Sequence, residues 1–232
     1  MSEHPILFSG PMVRAILAGQ KTMTRRVVDL KPFDRCCASP RRVYVPHGPG
    51  SPECPPDWPC YLKVCYCESC DGGGGRIWPR YEVGDLLWVR ETWAWVPRTA
   101  YRMSTGVVQT DDPTDPDMCA VYRAGWERCA PGRWRPSIHM PRWASRLTLR
   151  VTDVRVGRVQ EITEEGAILE GMTKRGFWWD AGPAWEGDGL GETAREAFAV
   201  TWDRLNSKRG HGWDVNPWVW VVSFERMEAT HA

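Results

Sequence analysis

The spacing of apolar positions changes period several times along the chain, and each change marks an element. Ile6, Leu7 and Phe8 are a short apolar run that predicts a strand. Ser9-Gly10-Pro11 then turns into a helix with Pro11 at its first position, where a missing N–H costs nothing. Met12, Ala15 and Ile16, with Gly19 at the margin, form one helical stripe that reads as core packing. Gly19 also reads as the residue just past the helix end, because glycine takes the left-handed conformation cheaply. Lys21 and Thr24 are therefore expected in the connection leaving that helix.

Further on, Gly84-Asp85 predicts a turn into a strand running from Leu86 to Trp93. Adjacent strand residues face opposite sides, so one of Arg90 and Glu91 points inward. Glu91 then either orients a guanidinium or a bound base, or is a surface charge, and the surface is the preferred side. Ala120 to Ala124 predicts another strand, after a polar, turn-rich stretch from Pro97 to Pro116. Leu147, Leu149 and Val151 alternate with polar residues, but Val154 and Val156 have the opposite parity, which a bulge near Asp153 would reconcile. Residues 161–171 read as a short helix with Thr163 as cap, acids in the first turn and Gly171 as stop. Residues 192–206 are amphipathic, with Phe198, Trp202 and Leu205 on the buried face. Trp218 to Phe224 is apolar on both faces and predicts a central strand.

Two stretches break this order. Residues 35–80 turn abruptly to Pro, Gly and Cys with almost no aliphatic periodicity and read as an insertion rather than a strand-bearing part of the barrel. Residues 173–191 are a Gly-, Trp- and acid-rich loop, long enough for a lid or a second insertion. The 232 residues suit one large domain carrying such insertions, and they are long enough to bury a core. No basic leader with a long apolar run opens the chain, and no apolar segment approaches membrane-spanning length. The expectation is a soluble, cytoplasmic protein without a membrane partner.

Net charge is only +1, so no global field draws the chain to nucleic acid and any such contact must come from local arginine clusters. Seven of the nine cysteines crowd between residues 36 and 70, which in a reducing compartment points to metal ligation or free thiols rather than a disulfide framework. Cys65-x-Cys67-x-x-Cys70 would supply three thiolates to a structural zinc ion. Cys54, Cys60, Cys36 or Cys37 would supply the fourth ligand, and His47 is a weaker candidate.

The candidate chemistry centres on Lys21-Thr22-Met23-Thr24-Arg25-Arg26. With 25 Arg against 5 Lys, a lysine between a helix stop and a twin arginine is unexpected if only charge is wanted. A hydroxyl three residues after an amine, flanked by two guanidiniums, suits a nucleophile with its base beside an anion-binding edge; the alternative is a solvated basic turn. Glu170 lies at the negative end of a predicted helix, an electrostatically misplaced position that suggests a use beyond helix stability. Fifteen Trp exceed what a core needs. The run from Arg133 to Arg146 interleaves Trp134, Arg135, His139, Arg142 and Trp143 in a way that suits base stacking and phosphate pairing, or equally an ordered loop covering the fold.

These pieces together resemble the ASCH domain family, small β-barrels of the PUA-like superfold, and among them the longer members from phages and prophages. The resemblance rests on Pro5-Ile6-Leu7-Phe8-Ser9, Gly19 through Arg26, Gly84-Asp85 through Glu91-Thr92-Trp93, Ser137-Ile138-His139-Met140-Pro141, the helix from Thr163 to Gly171 and the strand from Trp218 to Phe224. It implies an α+β chain: a PUA-like mixed β-barrel with short flanking helices and a Cys-rich insertion. One branch of the family hydrolyses N(4)-acetylcytidine with a Lys and a Thr of a K-T-x-T motif and a Glu on the later helix, which map onto Lys21, Thr24 and Glu170. The resemblance implies that Lys21 takes the Thr24 proton, Thr24 attacks the acyl carbon and Glu170 positions or activates water. Arg25, Arg26, Glu91, Trp93, Trp134, Arg135, His139, Arg142 and Trp143 are the candidate contacts to a nucleoside or nucleic acid, RNA favoured over DNA. The alternatives are a non-catalytic module binding RNA or a modified base, and an accessory protein of phage assembly.

If the cysteine cluster holds zinc, protein prepared without chelator contains about one metal equivalent, and Cys67→Ser releases it. Metal analysis that finds no zinc removes the site and leaves free thiols.

Overall fold

The computed structural model describes residues 1–29, 42–44, 62–65, 75–101, 104–181 and 191–227. It is a mixed α+β architecture with few, short helices. In chain order the elements are β1 (Glu3–Leu7), α1 (Gly10–Leu17), β2 (Met23–Val27), β3 (Arg42–Tyr44), β4 (Leu62–Cys65), β5 (Gly75–Ile77), β6 (Leu86–Arg90), β7 (Trp93–Pro97), β8 (Thr110–Asp111) and β9 (Met118–Tyr122). They continue with β10 (Thr148–Arg158), α2 (Glu164–Leu169), β11 (Thr173–Arg175), β12 (Trp178–Asp180), α3 (Ala194–Asn206) and β13 (Trp218–Arg226). No helix among the described residues is long and apolar enough to cross a membrane.

The main sheet has the order β1-β6-β10-β13-β2. Its β1–β6 pair is parallel, while β6–β10, β10–β13 and β13–β2 are antiparallel. Strand β13 lies between two neighbours and buries both faces, as its unbroken apolar run predicts. Trp220, Val222 and Phe224 face a core with Ile6, Leu87, Val89, Leu149, Val151 and α1's Val13 and Ile16. Val219 and Val221 face a second core with Met23, Ala167, Phe198 and Trp202, where α2 and α3 cover the sheet. The register of β10 against β13 slips between Val151 and Asp153, the bulge that the parity change near Asp153 required.

The sheet is open. Its edge strands are β1 and β2, and among the described residues no ladder joins them into the closed barrel that the resemblance implies. A single side chain spans the gap instead: Arg26 Nη2 donates to the Leu7 carbonyl at 2.7 Å.

Several expectations need correction. The strand predicted from Leu86 to Trp93 breaks at Glu91-Thr92, and its second half, β7, belongs to a separate sheet of order β7-β9-β8. Within residues 35–80, β3, β4 and β5 pair into a small antiparallel sheet of their own and contribute no strand to the main one. Residues 173–191 open with a hairpin, β11–β12, while 182–190 lie outside the described residues. Thr24 is on strand β2, opposite Val222, rather than in a loop. Leu205 is 41% exposed rather than core, because α3 packs through Ala194, Ala197, Phe198, Thr201 and Trp202.

The helix termini follow the sequence closely. Thr163 accepts a hydrogen bond from Gly166 N at 3.0 Å, and Thr193 forms a capping box with Glu196 at the start of α3. Glu164, in the first turn of α2, also accepts from Ala194 N (2.6 Å) and Arg195 N (3.0 Å), so one carboxylate serves the N-termini of two helices. A cap is worth about 1 kcal/mol, against about 3–5 for truncating a buried Phe or Trp. Phe198 and Trp202 therefore hold α3 on the sheet, and the caps set where it begins.

Gly171 stops α2 at φ +99°, and a Cβ there would stand 3.1 Å from Ala15 Cβ and 3.3 Å from Lys21 Cβ. Gly171→Ala is expected to cost about 1–3 kcal/mol through backbone strain and crowding, read as a lowered urea midpoint. An unchanged midpoint would show that α1 and α2 are not tightly packed here.

Candidate functional site

Lys21 follows directly from the end of α1. Gly19 takes φ +72°, and the amides of Gln20 and Lys21 both donate to the Ala15 carbonyl, so the chain turns sharply and points the lysine inward. Thr22 N then donates to the Leu169 carbonyl of α2, and Phe224 N of β13 donates to the Thr22 carbonyl. Three elements grip this short connection, which fixes the base of the Lys21 side chain.

The Lys21 side chain is fully buried. Its Nζ donates to Glu170 Oε2 at 2.7 Å and to the Glu170 carbonyl at 2.7 Å. Arg25 Nη1 donates to the other carboxylate oxygen, Oε1, at 3.1 Å. Glu170 thus sits between two cations, and its misplacement at a helix C-terminus is explained: it is held by Lys21 and Arg25, not by the helix. Burial pushes the Lys21 amine below its usual pKa; Glu170 opposes that push, and the neighbouring Arg26 and Arg25 add to it.

Next to this cluster is a cavity of about 610 Å³ in the gap between the edge strands β1 and β2, with α3 as its outer wall. Thr24, Arg25, Arg26 and Glu170 line it, together with Phe8 and Ser9 from the turn after β1 and Phe198 and Trp202 from α3. Lys21 Nζ donates to Glu170 and not to the Thr24 hydroxyl. Lys21 lies behind the lining, and Phe8 forms a shared aromatic floor 5.7 Å from Lys21 Nζ and 5.3 Å from the Arg26 guanidinium. Arg26 Nη2 is taken by Leu7, and among the described residues Arg25 and Arg26 each keep a buried Nε without a partner. Among the described residues the Ser9 hydroxyl is likewise buried without a partner at the start of α1, although Ser9 lines the cavity.

Sequence reasoning missed Ser9, Phe8 and the α3 wall as site residues. The first two sit in the Ile6-Leu7-Phe8-Ser9 run, whose adjacency to a turn was a usable signal. Phe198 and Trp202 carried only a core signature, because a helix face that covers a sheet and one that walls a cavity have the same period.

The other predicted contacts separate into two groups. Glu91 is not at the surface: it is 1% exposed and takes Arg146 in a two-pronged ion pair, Nε to Oε1 at 2.8 Å and Nη2 to Oε2 at 2.9 Å. Of its alternative roles, orienting a guanidinium is the one realised, and burial pushes the carboxyl pKa up against the pull of Arg146. Strand alternation carries through this point: Leu87, Val89 and Glu91 share the buried face, although β6 itself ends at Arg90. The Arg146 guanidinium lies 4.2 Å from the Tyr122 ring, and the Tyr122 hydroxyl donates to the Ala144 carbonyl at 2.8 Å. Trp93 is buried at 3% exposure against Tyr122, Met140 and Ala144, edge-on to Trp143, and so packs a core instead of facing a ligand. Trp134 packs edge-on to Trp126, and Arg142 pairs with Glu3 across the surface at 2.9 Å.

Arg135 and His139 are exposed instead, and with Arg133 and Trp95 they line a second cavity of about 370 Å³. Of the cysteine candidates, Cys54, Cys60, Cys67, Cys70, Cys36 and Cys37, with His47, lie outside the described residues. Cys65 is described only as the last residue of β4. Among the described residues no three His, Cys, Asp or Glu gather as a metal site. Compared with family models, curated proteins and solved structures, the chain matches none.

The buried Glu91–Arg146 pair gives a stability prediction. Removing one partner strands a buried charge, so Arg146→Leu is expected to cost about 3–5 kcal/mol in urea unfolding. Glu91→Leu combined with Arg146→Leu recovers most of that loss, since two apolar side chains leave no orphan. A double variant as unstable as the single one would contradict the pairing argument.

Proposed function

We propose that the protein is an amidohydrolase of the ASCH kind on a PUA-like fold, cleaving the amide of an N(4)-acylated cytosine with Thr24 as nucleophile. The observation that carries this reading is the buried Lys21–Glu170 pair, 2.7 Å apart, directly behind a cavity that Thr24 and Glu170 both line. A lysine between two apolar layers with no task of its own would be an expensive way to hold two loops together.

In this reading the neutral Lys21 amine takes the proton of the Thr24 hydroxyl as Oγ forms a bond to the acyl carbon. The tetrahedral intermediate collapses with loss of the cytosine N4 amine, which leaves with the proton held on Lys21. Water then attacks the acyl-Thr24 ester, giving up its proton to the Lys21–Glu170 pair, and releases the carboxylic acid with Thr24 restored. Arg25 and the Ser9 hydroxyl, both with unpartnered donors beside the cavity, suit the oxyanion. Glu170 holds the lysine by two hydrogen bonds and leaves the third Nζ valence for Thr24. Phe8, Phe198 and Trp202 give the flat pyrimidine aromatic and apolar walls.

A second reading has its own observation: the Thr24 hydroxyl is not bonded to Lys21. A non-catalytic module that holds a modified base, or RNA, would use the same walls without the proton transfer. Catalytic hydrogen bonds often tighten only on substrate binding, which keeps the hydrolase reading first.

Chromatography of an N(4)-acylcytidine incubated with the protein decides between them. Thr24→Ala is expected to abolish turnover, by about a thousandfold or more for loss of an activated nucleophile, while substrate binding persists. The rate requires a neutral Lys21, so it rises with pH through the Lys21 pKa, and burial places that limb below the usual lysine value of 10.5. Lys21→Arg, which stays charged, removes the limb along with the activity. Binding without turnover by the unaltered protein would make it a binding module, and equal loss of binding in Thr24→Ala would make Thr24 a recognition residue.

A further inference from the structure

The cavity of about 370 Å³ lined by Trp95, Pro131, Arg133, Arg135, Pro136 and His139 is not used by the chemistry above. It adjoins the Thr24 cavity through one turn of chain. Ser137 lines the Thr24 cavity, while Pro136 before it and His139 after it line the second one. Residues 137–139 form a single 3₁₀ turn that Arg90 holds through the Ile138 carbonyl. Thr92, on the Thr24 side, precedes Trp93, whose backbone pairs with Arg135. The two cavities are neighbouring stations along one surface.

The second station has the composition of a site for a base and its phosphate. Trp95 projects from β7 at 37% exposure, and its indole Nε1 donates to Asp112 Oδ2 at 3.0 Å, which fixes the plane of the ring. The Arg135 guanidinium lies 5.4 Å from the Trp95 ring and 5.3 Å from that of Trp93, so it is held over two indoles on the same face of β7. Among the described residues no carboxylate lines this cavity and none pairs with Arg133 or Arg135. The other arginines of the segment are spoken for, Arg142 by Glu3 and Arg146 by Glu91. Two exposed guanidiniums and a histidine without counter-charge, beside a fixed indole, match a phosphodiester and a stacked base.

We infer that the substrate of the Thr24 cavity is a residue within a single-stranded polynucleotide, and that the Trp95–Arg135–His139 cavity is the subsite for the adjoining nucleotide. This deepens the hydrolase reading and rests on it for the position of the reacting base. The physical consequence is a division of labour: the Thr24 cavity takes the modified pyrimidine, and the Trp95 cavity takes its neighbour without reading its sequence, since every base has a π-face.

The test compares N(4)-acetylcytidine with trinucleotides carrying the same base in the middle, as RNA and as DNA, in the unaltered protein and in Trp95→Ala and Arg135→Gln. The expected result is a kcat/KM for a trinucleotide at least tenfold above that of the nucleoside, falling with salt for the trinucleotide alone. Trp95→Ala lowers the trinucleotide value by roughly five- to a hundredfold, the size of one lost base stack, and leaves the nucleoside value unchanged. The RNA and DNA arms show which polymer is taken. Equal kcat/KM for nucleoside and trinucleotides, or variants that affect both alike, overturns the subsite. Fluorescence anisotropy of a labelled trinucleotide separates this from failure of the chemistry. Binding that weakens in both variants, without turnover, keeps the subsite and removes the hydrolase, and absence of trinucleotide binding removes the subsite.

Discussion

Everything else at the site depends on the buried contact of Lys21 with Glu170. Each charge, taken from water, costs several kcal/mol, and the attraction between them returns that cost only with good geometry and further hydrogen bonds. Here the geometry is good: Nζ meets both the carboxylate and the carbonyl of Glu170 at 2.7 Å, and Arg25 takes the second carboxylate oxygen. The arrangement still leaves two cations against one carboxylate, an imbalance that a structural pair would not need. An apolar triad of the same volume would hold α1, β2 and α2 together as well or better. The cluster therefore costs stability, and its worth lies in fixing an amine at a defined place behind the cavity.

The position of that cavity follows from the sheet. The edge strands β1 and β2 approach without pairing, and the gap between them is bridged by Arg26 to Leu7 instead of by a backbone ladder. Closing the sheet would fill the space that Thr24, Phe8 and Ser9 line. Helix α3 provides the outer wall and is anchored by Phe198 and Trp202 in the second core, with Trp202 Nε1 fixed to the His211 carbonyl at 2.8 Å. An unfinished sheet edge, ordinarily an aggregation hazard, is in this way covered by a helix and converted to a concave surface.

Much of this was legible in the sequence. Gly19, Thr163 and Gly171 punctuate the helices because their backbone or side-chain chemistry is local, and the parity change around Asp153 located a bulge. The meeting of Lys21 with Glu170 was reached through a resemblance and through a carboxylate placed against a helix dipole, not through any pattern that spacing alone contains. What escaped was non-local. Nothing in the Leu86 to Trp93 run announces the break between two sheets, and Glu91, on the buried face with Leu87 and Val89, is held there by Arg146, 55 residues away. The Arg and Trp segment reads as uniform, yet tertiary partners divide it: Arg142 and Arg146 find carboxylates far away in sequence, while Arg133, Arg135 and His139 line a cavity without one among the described residues.

The most direct measurement of the central claim is the mass of the protein itself. Incubated with N(4)-acetylcytidine and quenched in acid, which slows hydrolysis of an ester, the chain is expected to gain one acetyl group, located on the peptide that contains Thr24 and absent from Thr24→Ala. An unchanged mass in the presence of turnover would mean that water attacks the amide directly and that Thr24 is not the nucleophile. An acetyl group on Lys21 or another residue would place the nucleophile elsewhere and contradict the account.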